Sequence, residues 1–154
     1  MDLNARNMMS YAELLAGMAF NSAGLGYVHA MAHQLGGFYG LPHGVCNAVL
    51  LPIIMKHNAE YVPSLFIDIA KALGHEDHIH DENHAKAVRV VLEKISTLKE
   101  SIGIPKNLKA LGVKPEDFPI LAEHALQDAC GLTNPFQPTK EQVIQMYQEA
   151  YDAE

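Results

Sequence analysis

His29 and His33 stand four residues apart in Gly26-Tyr27-Val28-His29-Ala30-Met31-Ala32-His33, and His43 follows after Gly36-Gly37 and Gly40-Leu41-Pro42. Imidazoles at i and i+4 leave a helix from one face and can converge on one centre, as metal ligands or as groups that share a proton. A continuous helix would carry His43 about 21 Å away. The glycine pair and the Gly-x-Pro turn instead allow the chain to fold back and present His43 from the first turn of the next helix. This spacing predicts a metal or catalytic pocket. One alternative stays open, in which His29 and His33 are core histidines satisfied by hydrogen bonds. Gly24, Gly26, Gly36, Gly37, Gly40 and Gly44 weigh toward the pocket, because each costs backbone entropy unless close approach or an unusual dihedral requires it. A zincin is excluded: HExxH needs a glutamate as general base, and Ala30 occupies its place. Neutral imidazoles leave the charge of a divalent ion uncompensated, and no acid lies between Glu13 and Glu60, so carboxylate help must come from elsewhere.

A second histidine group, His75, His78, His80 and His84, contains the dipeptide His80-Asp81 and raises the possibility of an HD-type phosphohydrolase. That chemistry needs further ligands converging from several buried helices, whereas this stretch is polar throughout and follows Gly74. It reads as a solvated loop and helix start, with adventitious Zn²⁺ or Ni²⁺ capture as its expected activity. His57 and His124 are unpaired and read as surface or core residues. Cys46 lies in an apolar run and reads as packing, while Cys130 beside Asp128 is ambiguous.

The elements that must position these groups are helical, because apolar residues recur three and four apart and almost no run alternates over strand length. The expected fold is all-α. A first helix spans about Asn4 to Asn21, with Met8, Tyr11, Leu15, Met18 and Phe20 on its buried side. A second runs from Leu25 to Leu35 and stops at Gly36-Gly37, where a left-handed cap can form. A third starts near His43, is apolar all round and so central in a core, and should kink or end at Pro52. Further helices are expected over Pro63 to Leu73, Glu82 to Ile102, Lys106 to Leu111 and Pro115 to Ala129. The last opens with the capping box Thr139-x-x-Gln142. No repeat or linker interrupts the chain, which is read as a single helical domain over residues 1–154.

Composition removes several classes of partner. The 154 residues carry 18 acids against 11 Lys and Arg, a formal charge of −7. No cationic surface is available for phosphates, so nucleic acid and anionic membranes are excluded as partners. The longest apolar stretch, Val45 to Met55, falls short of the roughly 20 residues that span a bilayer. The first residues resemble no signal peptide and the two cysteines form no CxxC pair, so a cytoplasmic location is expected.

Three runs carry a resemblance: Leu15-Ala-Gly-Met-Ala-Phe20-Asn21, then Gly26 to Gly36, then Pro42-His43-Gly44-Val-x-Asn47-Ala48-x-Leu-Leu-Pro52. They resemble the iron-containing alcohol dehydrogenase family, within it the branch of 1,3-propanediol dehydrogenases and lactaldehyde reductases. Gly103-Ile-Pro105, Leu111-Gly112-Val113 and Asp128-x-Cys130-x-x-x-Asn134-Pro135 extend the likeness to the later helices. The resemblance implies a bundle corresponding to most of that family's C-terminal metal-binding domain. It implies that His29 and His43 are metal ligands and that His33 is a catalytic group facing the nicotinamide and the substrate. Phe20 and Cys130 would line the substrate pocket. The cofactors implied are Fe²⁺ or Zn²⁺ and NAD(P), and the reaction is the interconversion of alcohol and aldehyde by hydride transfer. The family's other two ligands, an Asp and a His four residues apart, and its nucleotide-binding domain have no counterpart among these residues. The expectation is therefore a C-terminal portion that is inactive alone, binds no cofactor tightly, and forms a homo-oligomer through exposed apolar helices. The alternative is a catalytically silent helical fragment with only adventitious metal binding.

Overall fold

The computed structural model describes residues 2–75 and 83–153, and among them the chain is all-α, with no strand. The elements are α1 (Leu3–Ala23), α2 (Tyr27–Tyr39), α3 (His43–Ala59), α4 (Leu65–Ala72), α5 (His84–Ser101), α6 (Phe118–Gln127) and α7 (Lys140–Asp152). Short 3₁₀ turns occupy Lys109–Leu111, Pro115–Asp117 and Ala129–Thr133. His78 and His80 of the second histidine group lie outside the described residues; His84 is the first residue of α5.

The main core is built where α2, α3, α6 and α7 meet. Met31 and Leu35, Leu50 and Ile54, Phe118 and Leu121, and Met146 and Tyr147 are all buried there. Burying each such side chain contributes about 1.5–3 kcal/mol. Phe118 stacks on Tyr147 with ring centres 5.7 Å apart, and the Tyr147 hydroxyl donates to the Met31 carbonyl at 2.9 Å. That bond satisfies the one polar atom of an otherwise buried ring. A second cluster joins Phe66, Ile67 and Ala70 of α4 to Ala87, Val90 and Val91 of α5. The α7 capping box forms as the sequence predicts: Thr139 Oγ1 accepts from the Gln142 N–H and Gln142 Oε1 accepts from the Thr139 N–H.

Two expectations fail and one of two alternatives at Pro52 is removed, each for a physical reason. α2 does not stop at Gly36-Gly37 but continues to Gly40, whose φ of 67° makes the left-handed cap and whose N–H bonds to the Gly36 carbonyl. The last turn is held because the Tyr39 hydroxyl bonds Asp117 and accepts the Lys114 N–H at 3.0 Å. α3 does not end at Pro52. The lost backbone bond, worth about 3 kcal/mol in a helix interior, is offset by Val49, Leu50 and Ile54, buried on either side of it. α3 is thus covered by its neighbours. Finally, no residue of α1 is buried: Met8, Tyr11, Leu15, Met18 and Phe20, expected to face a core, are exposed. An apolar face left uncovered belongs to α1.

The end of α3 is tied to α7 by contacts of two side chains with one carboxylate. His57 Nε2 lies 3.1 Å from Glu149 Oε2 and Lys56 Nζ lies 3.8 Å from the same atom. Burial alone would raise the Glu149 pKa, but the Gln145 amide, His57 and Lys56 together bring it below the ordinary value. A carboxylate depressed in the folded state contributes stability that is complete above its unfolded pKa, about 4.3, and is lost as pH falls through the lower folded value. Glu149→Gln is therefore expected to flatten the acid limb of a urea-denaturation series below that pH. An acid limb identical to that of the parent would show that solvent screens the pair.

Candidate functional site

The fold-back predicted from the glycines and Pro42 is present. Gly40, Leu41 and Pro42 reverse the chain between α2 and α3, and His43 becomes the first residue of α3. Its ring centre lies 5.4 Å from that of His29 and 5.4 Å from that of His33, while His29 and His33 are 6.0 Å apart. Two imidazoles bound tetrahedrally to one ion through nitrogens at about 2.1 Å hold their ring centres about 5 Å apart. The His29–His43 and His33–His43 ring pairs both lie near that spacing. Burial lowers the His29 pKa, and the neighbouring His43 and His33 lower it further against the opposing charge of Asp128. His29 is then neutral at pH 7 with a lone pair free, the state in which imidazole binds metal. Asn47 Nδ2, one turn along α3, sits 2.9 Å from His43 Nε2.

His33 has a partner that spacing alone did not single out. Its Nδ1 lies 2.8 Å from Asp128 Oδ2, at the end of α6 and 95 residues along the chain. Here is the carboxylate that the run from Glu13 to Glu60 lacks; the only sequence signal for it was its place in Asp128-x-Cys130. His33, Asp128 and Cys130 bring their ligand-type atoms within 4.8 Å of one another. The carboxylate is engaged by protein donors, since Oδ1 accepts the Cys130 N–H at 2.9 Å and Oδ2 also meets the Gln34 amide at 3.4 Å. The trio reads as a hydrogen-bonded cluster beside the imidazoles.

An open surface pocket of about 340 Å³ adjoins this cluster, lined by Phe20, Asn21, Gly24, Leu25, Ala129, Cys130 and Thr133. Phe20 and Cys130, from opposite ends of the chain, thus share one wall, and the Phe20 ring centre is 6.2 Å from that of His29. Burial raises the Cys130 pKa and the adjacent Asp128 raises it further. The thiol therefore stays protonated at neutral pH and contributes a surface, not a nucleophile. Two glycines let these parts come together. Gly24 closes α1 at φ 82°, and a Cβ there would lie 2.4 Å from Thr133 Oγ1. Gly26 opens α2 at φ 107°, with Asn134 Oδ1 2.8 Å from the place of its Cβ. His57 pairs with Glu149 away from this cluster.

Residues 1–151 match the C-terminal portion of the Fe-containing alcohol dehydrogenase family. The chain belongs to the iron-containing alcohol dehydrogenase family. Alcohol dehydrogenase 4 of Saccharomyces cerevisiae is 54% identical over 151 residues, covering 98% of this chain and 38% of that protein. The 1,3-propanediol dehydrogenase of Citrobacter freundii is 46% identical over 150 residues, and the lactaldehyde reductase of Escherichia coli is 39% identical. Among solved structures, a 1,3-propanediol oxidoreductase superimposes with a TM-score of 0.91 at 47% identity, covering 97% of this chain and 39% of its own. An alcohol dehydrogenase from Oenococcus oeni gives 0.90 at 46% identity. The branch expected from sequence is among these relatives, the all-α fold is that of the portion of them the chain matches, and the chain spans under two fifths of their length.

Proposed function

We propose that these residues form the metal-site portion of an iron-dependent, NAD(P)-linked dehydrogenase that interconverts small alcohols and aldehydes by hydride transfer. The observation that carries this reading is the convergence of His29, His33 and His43, with centres 5.4–6.0 Å apart, beside the cavity that Phe20 and Cys130 line. His29 and His43 would hold the divalent ion, Fe²⁺ or Zn²⁺, since imidazole suits both. When bound, that ion supplies Lewis acidity toward the substrate oxygen. The chain's own groups do the rest. Phe20 presents an apolar wall, and Cys130 lines the same open pocket as a neutral thiol. His33, half-exposed beside both ligands, accepts the proton released from the alcohol and passes it to solvent. His33 would face the nicotinamide, which when bound would supply the hydride acceptor for the alcohol. No described helix is long and apolar enough to cross a membrane, and the cytoplasm is the proposed location. The uncovered face of α1 is the proposed surface for pairing with a second copy.

One experiment on a polypeptide of these 154 residues tests the reading. Anaerobic calorimetry with Fe²⁺ is expected to give weak binding, because two imidazoles without a coordinating carboxylate forfeit much of the chelate and charge stabilisation. That binding is expected to disappear in His43→Ala and to persist in His80→Ala. The same sample is expected to show no alcohol-dependent reduction of NAD. Submicromolar affinity, binding indifferent to His43→Ala, or turnover that vanishes in His29→Ala would each overturn it.

A further inference from the structure

We propose that Asp128 is a positioning residue that holds neutral His33 in its Nδ1–H tautomer, leaving Nε2 as the one nitrogen of that ring able to accept a proton. A carboxylate can only accept, so the 2.8 Å contact between Asp128 Oδ2 and His33 Nδ1 places the hydrogen on Nδ1. The carboxylate is itself fixed. Its Oδ1 takes the Cys130 N–H at 2.9 Å, and the Gln34 amide that meets Oδ2 is anchored on the Ala30 carbonyl at 3.0 Å. Burial would raise the Asp128 pKa, but the Cys130 N–H and His33 bring it below the ordinary value, so it is ionised and available as an acceptor at neutral pH.

A merely structural link between α2 and the end of α6 could use either ring nitrogen. This one uses the nitrogen that leaves Nε2 unclaimed on a ring 5.4 Å from His43 and 6.0 Å from His29. Which nitrogen of a histidine does chemistry is set by the bond the other one makes. The chain contains the opposite case as an internal contrast, since His57 meets Glu149 through Nε2 at 3.1 Å. The functional meaning rests on the proton-accepting role proposed above for His33; the geometry does not.

The test is a long-range ¹H–¹⁵N correlation spectrum of the metal-free, ¹⁵N-labelled chain at mildly alkaline pH, with His33→Gln assigning the resonances. His33 is expected to show a protonated Nδ1 and a bare Nε2. Asp128→Ala is expected to reverse the pattern to the Nε2–H form that a free histidine side chain prefers. Asp128→Ser keeps an oxygen that can cap the Cys130 N–H but does not reach the ring. It is expected to give the same reversal with helicity retained, and His57 is expected to be unchanged in both variants. An Nε2–H form of His33 in the parent chain, or a pattern that survives both substitutions, would overturn the assignment to Asp128. The spectra need neither metal nor alcohol. If the calorimetry above fails and the tautomer result holds, only the metal reading falls.

Discussion

Asn134→Ala is expected to remove about 3–5 kcal/mol of stability, a large share of what a domain of this size has. Asn134 is the one buried polar side chain among the described residues, and it uses both ends of its amide. Oδ1 accepts the N–H of Tyr27, the first residue of α2, at 3.2 Å, and Nδ2 donates to Asn58 Oδ1 at 3.0 Å and to the Phe136 carbonyl at 2.9 Å. Alanine would strand a helix-terminal N–H and two acceptors, at about 1–3 kcal/mol for each group left buried and unsatisfied. The expected readout is a urea midpoint shifted well down at constant slope. Because Asn134 joins the start of α2 to the end of α3, Fe²⁺ affinity is expected to fall with it although no imidazole has changed. A midpoint within experimental error of the parent would mean that water replaces all three partners at no cost.

The second large effect is in assembly. Met8, Tyr11, Leu15 and Met18 are spaced three, four and three apart, which lines them along one stripe of α1. Met8 is 62%, Leu15 64% and Met18 62% exposed. Replacing Met8, Leu15 and Met18 together with glutamine is expected to convert a self-associating chain to a monomer in sedimentation and to abolish binding of an apolar dye. Unfolding free energy is expected to change by no more than about 0.5 kcal/mol per site, as for other surface positions. Leu50→Ala, fully buried in α3, supplies the contrast at about 2–5 kcal/mol. A parent chain that is monomeric and binds no dye, or a triple variant destabilised like Leu50→Ala, would show that α1 folds back onto its own chain and that no second copy covers it.

The sequence made the histidine fold-back and the α7 cap legible because both are local: the chemistry that decides them lies within fifteen residues. It made the apolar stripe of α1 legible too, but a stripe says which face wants cover and not whether these residues supply it. The glycines misled for a related reason. Gly36, Gly37 and Gly40 can each close a helix, and the choice fell to contacts of Tyr39 with Asp117 and Lys114 that no local pattern contains. Burial of Val49, Leu50 and Ile54 carries α3 through Pro52 in the same way. Asp128 is the clearest loss, since an acid 95 residues from its histidine partner has no spacing to read. Its presence in a family-like motif marked the segment as part of the likeness without saying what the carboxylate touches.

That separation along the chain also sets an order in time. The three imidazoles sit on two helices joined by a tight turn, a hairpin that can close in about microseconds once its helices form, because helix growth and short-loop closure are among the fastest elementary events. Asp128 reaches His33 only after α6 has docked, a long-range step that must first meet the entropy of closing a much larger loop. On loop length alone, the imidazole cluster is expected to form before the Asp128 carboxylate reaches it. During synthesis from the N-terminus, α2 and α3 leave the ribosome well before Asp128 does, so the three imidazoles are made before the carboxylate that His33 meets.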